Sequence, residues 1–268
     1  MLVRRKGRLI VAACSVTVCF AAAIVMFGQQ SGQPQGQPPD PAKKGQGRKG
    51  GGFGPQLGPL EETGFTSIFD GSTMKGWEGD PEFWKVENGA LVGWCTAEKQ
   101  PAQNTFLIYR GGTFADFELK LDYKLTGNNS GIQIRSIELP DVKLAMKGYQ
   151  ADMDAQQRFT GQFYEERGRG FLAMRGQFNY IAPDAKKGIV SSLGSDEELK
   201  AIIKSDDWNS VHLIARGNTL IQMINGRVTS MLIDDDAAGR KMDGLIGFQV
   251  HRGPAMRVEF KNVRVKKF

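Results

Sequence analysis

The chain has 268 residues, 40% of them apolar and 24% charged, which excludes a wholly disordered or collagen-like polymer and allows one large β domain or two small ones. Its formal charge of +6 sits almost entirely before residue 60, where Arg4, Arg5, Lys6, Arg8, Lys43, Lys44, Arg48 and Lys49 face Asp40 alone. The remainder is close to neutral, so the basic isoelectric point reports an N-terminal arm, and no nucleic-acid partner is expected for the folded part.

Residues 1–28 open with four basic side chains followed by an uncharged apolar run from Leu9 to Phe27, the pattern of an export signal or a single membrane anchor. The expected location is therefore outside the cytoplasm, periplasmic or at the cell envelope, with membrane contact only through this segment. Residues 29–60, rich in Gly, Pro and Gln, read as a disordered linker, and residues 61–268 as the folded domain. Cys14 and Cys19 fall in the leader, so Cys95 stands alone in the domain and no intrachain disulfide is possible there. A nucleophilic Cys95 would need a nearby base, and the chain has only two histidines, so that role is not expected.

Period-two alternation predicts strands along the domain. The clearest is Phe117 to Leu125, with five apolar residues on one face and four charged ones on the other. Others are predicted at 83–86, 90–94, 131–137, 149–154, 171–175, 211–216, 219–224, 227–233, 245–251 and 257–266. Turn signals separate them at Asn88-Gly89, Gly127 to Gly131, Gly217-Asn218 and Asn225-Gly226, the last favouring a primed two-residue hairpin. Only Ser195 to Lys204, opening Ser-Asp-Glu-Glu, reads as a helix. Nucleotide loops, paired-cysteine motifs and zinc-type histidine spacings are absent from the sequence. Many short strands and one helix argue for an all-β sandwich.

Strand parity selects candidate site residues. Gln150, Asp152 and Asp154 share one face of their strand, Gln133 and Arg135 one face of theirs, and Gln249 and His251 one face of a third. Stacked on one sheet they would form a polar floor, although ordinary outer faces of a sandwich would show similar parity. His251 stands at a strand end as a candidate acid, base or ligand, whereas His212 reads as a packed or exposed strand residue. The glycine-bracketed segment Gly161 to Phe171 carries Tyr164, Glu165, Glu166, Arg167 and Arg169, a composition suited either to a site-lining loop or to a solvated hairpin. Asp234-Asp235-Asp236 lacks the alternating ligands of a calcium loop and reads as a solvated acidic turn. Trp84 and Trp208 read as core, and Trp94 as a candidate stacking platform for a ligand ring.

Phe65 to Thr73 with Gly76-Trp77, then Trp84 to Leu91, Asn129 to Ser136, Gly148 to Asp152, Trp208-Asn209, Asn225-Gly226, Gly244 to His251 and Phe260 to Val263 together resemble the 3-keto-disaccharide hydrolase domain family. The resemblance implies a concanavalin A-like jelly roll of two curved antiparallel sheets and a carbohydrate ligand. It also implies cleavage of a glycosidic bond in a 3-keto-sugar, by removal of the C2 proton and elimination or hydrolysis. On that chemistry Asp152 or His251 would be the base, Arg135 and Gln150 binders of an oxyanion or hydroxyl, and Glu165 or Glu166 the acid. Gln133, Gln249, Tyr164, Arg167 and Trp94 would contact the substrate. The cofactor is left open, with a divalent metal on Asp152, Glu165 and His251 as one arrangement and an ordinary two-carboxylate mechanism on Asp152 and Glu165 as another. A non-catalytic carbohydrate-binding module, or a structural envelope protein, would fit the same sequence.

Overall fold

The computed structural model describes residues 62–268; the predicted leader and linker, residues 1–28 and 29–60, lie outside them. Among the described residues no helix is long and apolar enough to cross a membrane.

The strands follow in the order β1 (Thr66–Ser67), β2 (Trp77–Glu78), β3 (Trp84–Glu87), β4 (Ala90–Cys95), β5 (Thr105–Tyr109), β6 (Phe117–Gly127), β7 (Asn129–Glu138) and β8 (Met146–Asp154). Then come β9 (Phe163–Glu166), β10 (Gly170–Ala173), β11 (Gln177–Ile181), β12 (Lys187–Ser192) and the helix α1 (Asp196–Ala201). The chain closes with β13 (Asn209–Arg216), β14 (Thr219–Ile224), β15 (Arg227–Asp234), β16 (Leu245–Val250) and β17 (Met256–Lys267). They form a large sheet ordered β12-β11-β15-β14-β13-β6-β17-β4-β3, with β1 on β17, and a small sheet ordered β10-β9-β8-β7-β16-β5-β2. This is the expected all-β jelly-roll sandwich, except that β11 and β15 run parallel.

The alternation in β6 does what it predicts: Phe117, Leu119, Leu121, Tyr123 and Leu125 are buried between the sheets and the charged residues point out. Facing them from the small sheet are Ile132, Ile134, Ala151, Met153, Phe163 and Phe248. Phe248 of β16 stacks on Phe260 of β17 at 4.1 Å and on Trp77 at 4.9 Å, joining the two layers through aromatic faces. Trp84 is in the core as expected, whereas Trp208 is half-exposed, covered by Lys124 and Lys261 at 5.3 and 3.8 Å from its ring. Cys95 is buried, and burial pushes its thiol above the usual range, consistent with packing and not nucleophilic use.

Both Asn-Gly pairs turn as predicted, Asn88-Gly89 and Asn225-Gly226 each having two consecutive positive φ values. The predicted helix is shorter than expected, held at its start by Ser195 and Glu198 in a reciprocal capping box. It stops at Ala201, after which Ile203 enters the core.

One distortion in the small sheet redirects a side chain. The register of β7 against β8 slips between Ile134 and Ile137, Arg135 adopts φ 46°, and Gly148 opposite has φ 148°. The tip of this hairpin packs on the outer face of β5 and β16, where Phe106, Ile108, Leu144 and Met146 make a separate apolar cluster. Met146 lies on Gly247, and a Cβ there would stand 2.4 Å from its sulfur. The rest of that outer face stays open, with polar side chains on β7, β8 and β16 and aromatic ones on β9 and β10.

Candidate active site

Gln133, Gln150 and Tyr164 are directly opposite one another on β7, β8 and β9, and Phe171 on β10 is opposite Tyr164. In the next row Asp152 of β8 faces Gly131 of β7. The predicted polar strands β7, β8 and β16 are therefore neighbours, and they carry the floor of a cleft of about 420 Å³. Its floor holds Gln150, Asp152 and Gln249. Tyr164, Glu166 and Phe171 rise on one side, Arg158 and Phe159 follow β8, and Asn104, Asn128, Asn129 and His251 line the remainder.

The floor is a directed hydrogen-bond chain. Ser136 Oγ donates to Gln133 Oε1 at 2.5 Å, and Gln133 Nε2 donates to Gln150 Oε1 at 2.8 Å, as does Gln249 Nε2 at 3.2 Å. Gln150 Nε2 then donates to Asp152 Oδ1 at 2.6 Å, and Gln162 Nε2 to Asp152 Oδ2 at 3.1 Å. Gln249 Oε1 is buried with no protein partner. Despite its two amide donors, Asp152 has its pKa pushed up to about 7, chiefly by burial and further by the charges of Glu166 and Asp154. Tyr164 is held protonated by burial and by the same acidic neighbours, Glu166 and Asp152. Glu166 accepts from Asn104 Nδ2 at 3.2 Å, and His251 Nδ1 lies 3.4 Å from Asn128 Nδ2. The cleft thus offers one carboxyl titrating near neutrality, a second carboxyl, a phenol, an imidazole and a guanidinium around a single hollow. That set can move a proton and stabilise a developing negative charge.

Gly131 makes the chain possible. A Cβ at this position would stand 2.4 Å from the Gln150 amide carbon. Gly131→Ala is expected to displace Gln150 from Asp152 and to cost about 1–3 kcal/mol in overpacking, together with a loss of turnover. A urea midpoint equal to that of the parent would contradict this.

Several predicted residues stand elsewhere. Gln133 is fully buried and lies beneath Gln150, supporting it without lining the cleft. Arg135 is 1% exposed and not a substrate binder. Because of the bulge its guanidinium turns away to donate to Ala115 O, Gly217 O and Asp116 Oδ1 at 2.7, 2.6 and 3.0 Å, tying loops together. Asp154 spends Oδ1 on the amides of Phe159 and Thr160 and does not reach the cleft. Trp94 belongs to β4 of the large sheet, beside Lys85, and is no part of the floor. Arg167 is exposed at the hairpin turn after Glu166, donating to Gln103 Oε1 at 2.6 Å. His212 pairs with Glu118 at 2.7 Å on the large sheet, as expected of a strand residue.

Glu165 is the main correction. Segment 161–171 forms the β9–β10 hairpin, so Glu165 points to the face opposite Tyr164 and Glu166. There Arg169 Nε donates to it at 2.5 Å, and the same guanidinium reaches Asp234 at 2.6 Å and Asp236 at 3.1 Å. Tyr149 Oη donates to Asp234 Oδ2 at 2.5 Å. Asp234 and Asp236 are therefore buried members of an ionic network and not a solvated turn. The pairing of Asp152 with Glu165 does not exist, nor does a metal set of Asp152, Glu165 and His251. No group of three or more His, Cys, Asp or Glu side chains among the described residues is placed to hold a metal ion. Asn104, Asn128, Asn129, Arg158, Phe159, Gln162 and Phe171 were not singled out by the sequence as site residues, because the loops and register that assemble them leave no local signal.

The family model of the 3-keto-alpha-glucoside-1,2-lyase-like domain matches residues 64–266. A curated relative, the 3-keto-disaccharide hydrolase of Bacteroides thetaiotaomicron, is 35% identical over 82 residues, which is 28% of this chain and 28% of that protein. Two crystal structures of provisionally named glycosyl hydrolases from Parabacteroides distasonis superpose with TM-scores of 0.50 and 0.51 at 20% and 15% identity. Each comparison covers 76% of this chain, with 94% and 99% of the other chain, and the likeness is one of fold.

Proposed function

Since the chain belongs to the 3-keto-alpha-glucoside-1,2-lyase-like domain family, we propose that its cleft cleaves the glycosidic bond of a 3-keto-sugar, with Asp152 as the base. The observation that carries this reading is a buried carboxyl on the cleft floor with a pKa pushed up to about 7. A ketone at C3 acidifies the C2 proton. Asp152 takes that proton, and the electron pair left on C2 delocalises onto the C3 oxygen. Tyr164, held as a donor, and Arg158 are the groups suited to stabilise that oxygen. Collapse of the enolate forms the C1–C2 double bond and breaks the bond from C1 to the leaving oxygen, which takes a proton from Glu166 or His251. Addition of water across the double bond, with Asp152 protonating C2 after its proton has exchanged with solvent, completes a hydrolysis; without it the reaction is a lyase step.

The test incubates the purified chain with a 3-keto-disaccharide and its unoxidised parent in deuterated water, with EDTA or added divalent metal, following monosaccharide release and deuterium at C2. Cleavage confined to the keto-sugar is the expected result, with deuterium at C2 where water adds and no hydrogen left on C2 where the reaction stops at elimination. Equal cleavage of both substrates would replace it with a two-carboxylate hydrolase. Cleavage of neither, with binding seen by calorimetry, would make the domain a carbohydrate-binding module. The basic residues before the apolar run 9–27 support export of the chain, and fractionation of cells carrying it would place it.

A further inference from the structure

The cleft has two chemically different halves. The floor amides and Asp152 form a polar half suited to the hydroxyls of one sugar ring. Beside it stand three aromatic rings that the proton transfer does not need as rings. Phe159 and Phe171 are stacked with centroids 5.9 Å apart, and Tyr164 meets Phe171 edge-on at 5.3 Å. Phe171 is 46% exposed although it sits on a strand, and an exposed aromatic surface in a cleft marks a contact site.

This corner is built, not incidental. The loop carrying Phe159 is clamped from both sides: Asp154 Oδ1 accepts from Phe159 N at 2.7 Å, while Arg175 donates to Thr160 O at 2.6 Å and Gln157 O at 3.0 Å. Lys187 Nζ donates to Phe171 O at 2.6 Å and fixes the other ring's strand. The rings are thus presented in place before any ligand arrives.

We infer that Phe159, Tyr164 and Phe171 form a stacking subsite for the departing part of the substrate, and that it accepts an aryl aglycone in preference to a second sugar. This rests on the glycoside-cleaving reading above. The choice follows from the polar inventory. Apart from the Tyr164 hydroxyl and the Arg158 guanidinium, which lies over Phe159 at 5.2 Å, the corner has aromatic carbon to offer. A second pyranose laid on the rings would find only these two polar partners, its other hydroxyls staying with solvent, and so gains little from the corner beyond contact with one face. An aryl group needs no such partners and gains ring-on-ring contact.

The test compares the phenyl and methyl 3-keto-glucosides and a 3-keto-disaccharide with the full chain and with Phe171→Ala and Phe171→Tyr. Comparing ratios between proteins cancels the intrinsic leaving ability of phenol. The ratio of kcat/KM for phenyl over methyl should fall roughly tenfold in Phe171→Ala and recover in Phe171→Tyr. An unchanged ratio would overturn the subsite, and a larger loss on the disaccharide than on the phenyl substrate would reassign it to a second sugar. Calorimetry with phenyl and methyl glucoside on the same proteins gives an independent reading. If no keto-substrate is turned over, the glycoside-cleaving reading fails by itself, while tighter binding of phenyl than methyl glucoside, lost in Phe171→Ala, would still establish the aromatic contact. Equal binding of the two would remove it.

Discussion

Asp152→Asn should lower turnover by about 10²–10⁴-fold, the range over which a positioned general base acts, while leaving sugar binding measurable. The same substitution should remove a characteristic dependence of stability on pH. In the folded protein the Asp152 carboxyl is raised to about 7 from an ordinary value of 3.8, so the native state holds a proton that the unfolded chain has already released. Stability from this group is full below 3.8 and is lost as pH rises towards about 7. Asparagine cannot titrate. Between about pH 5 and pH 8 the variant should therefore gain on the parent by about 3 kcal/mol, read from urea midpoints at the two pH values. Parallel midpoints would show that Asp152 is ionised throughout and could not serve as a base tuned to neutrality. Activity should move the opposite way in the parent, with kcat/KM rising through pH 7 as Asp152 loses its proton.

The largest effect on the fold should come from Arg169→Met. Arg169 binds Glu165 on β9, Asp234 at the end of β15 and Asp236 just beyond, so one guanidinium holds three carboxylates across the join between the sheets. Lys241, 3.6 Å from Glu165, does not replace it at the aspartates. Removing one partner from a buried ionic cluster costs about 3–5 kcal/mol because the remaining charges stay out of water. A denaturant midpoint within 1 kcal/mol of the parent at neutral pH would mean that the network contributes no more than a surface ion pair. The hairpin bearing Tyr164 and Glu166 is anchored through this cluster, so the cleft should loosen with it.

Asp152 and Arg135 illustrate what the sequence could and could not show. Asp152 was legible because its strand is regular and its alternation places it with Gln150. Arg135 misled for the converse reason: counting by two set it beside Gln133, but the bulge at φ 46° turns it out of phase, and a bulge leaves no trace in hydrophobic periodicity. Glu165 and Glu166 could not be separated because β9 has four residues and mixed polarity, too little to read as a strand. The apolar run of β5 and the exposed β12 likewise escaped an alternation criterion. Long strands and Asn-Gly turns were readable from local chemistry. Which strands lie side by side, and hence that Phe171 faces Tyr164, depends on pairings between distant segments.

Those pairings also bear on the order in which the molecule can assemble. β17 lies between β4 and β6 in the large sheet, with Met256 facing Cys95 on one side and Gly127 on the other. During synthesis β4 and β6 leave the ribosome long before the strand that joins them, and until it arrives each presents a bare edge on the side that β17 covers. Such a chain must remain uncommitted until residues 256–267 are available, and closure should come late, as one slow and cooperative step set by distant contacts. A ribosome stalled before Met256 would therefore hold a chain that proteases readily cut.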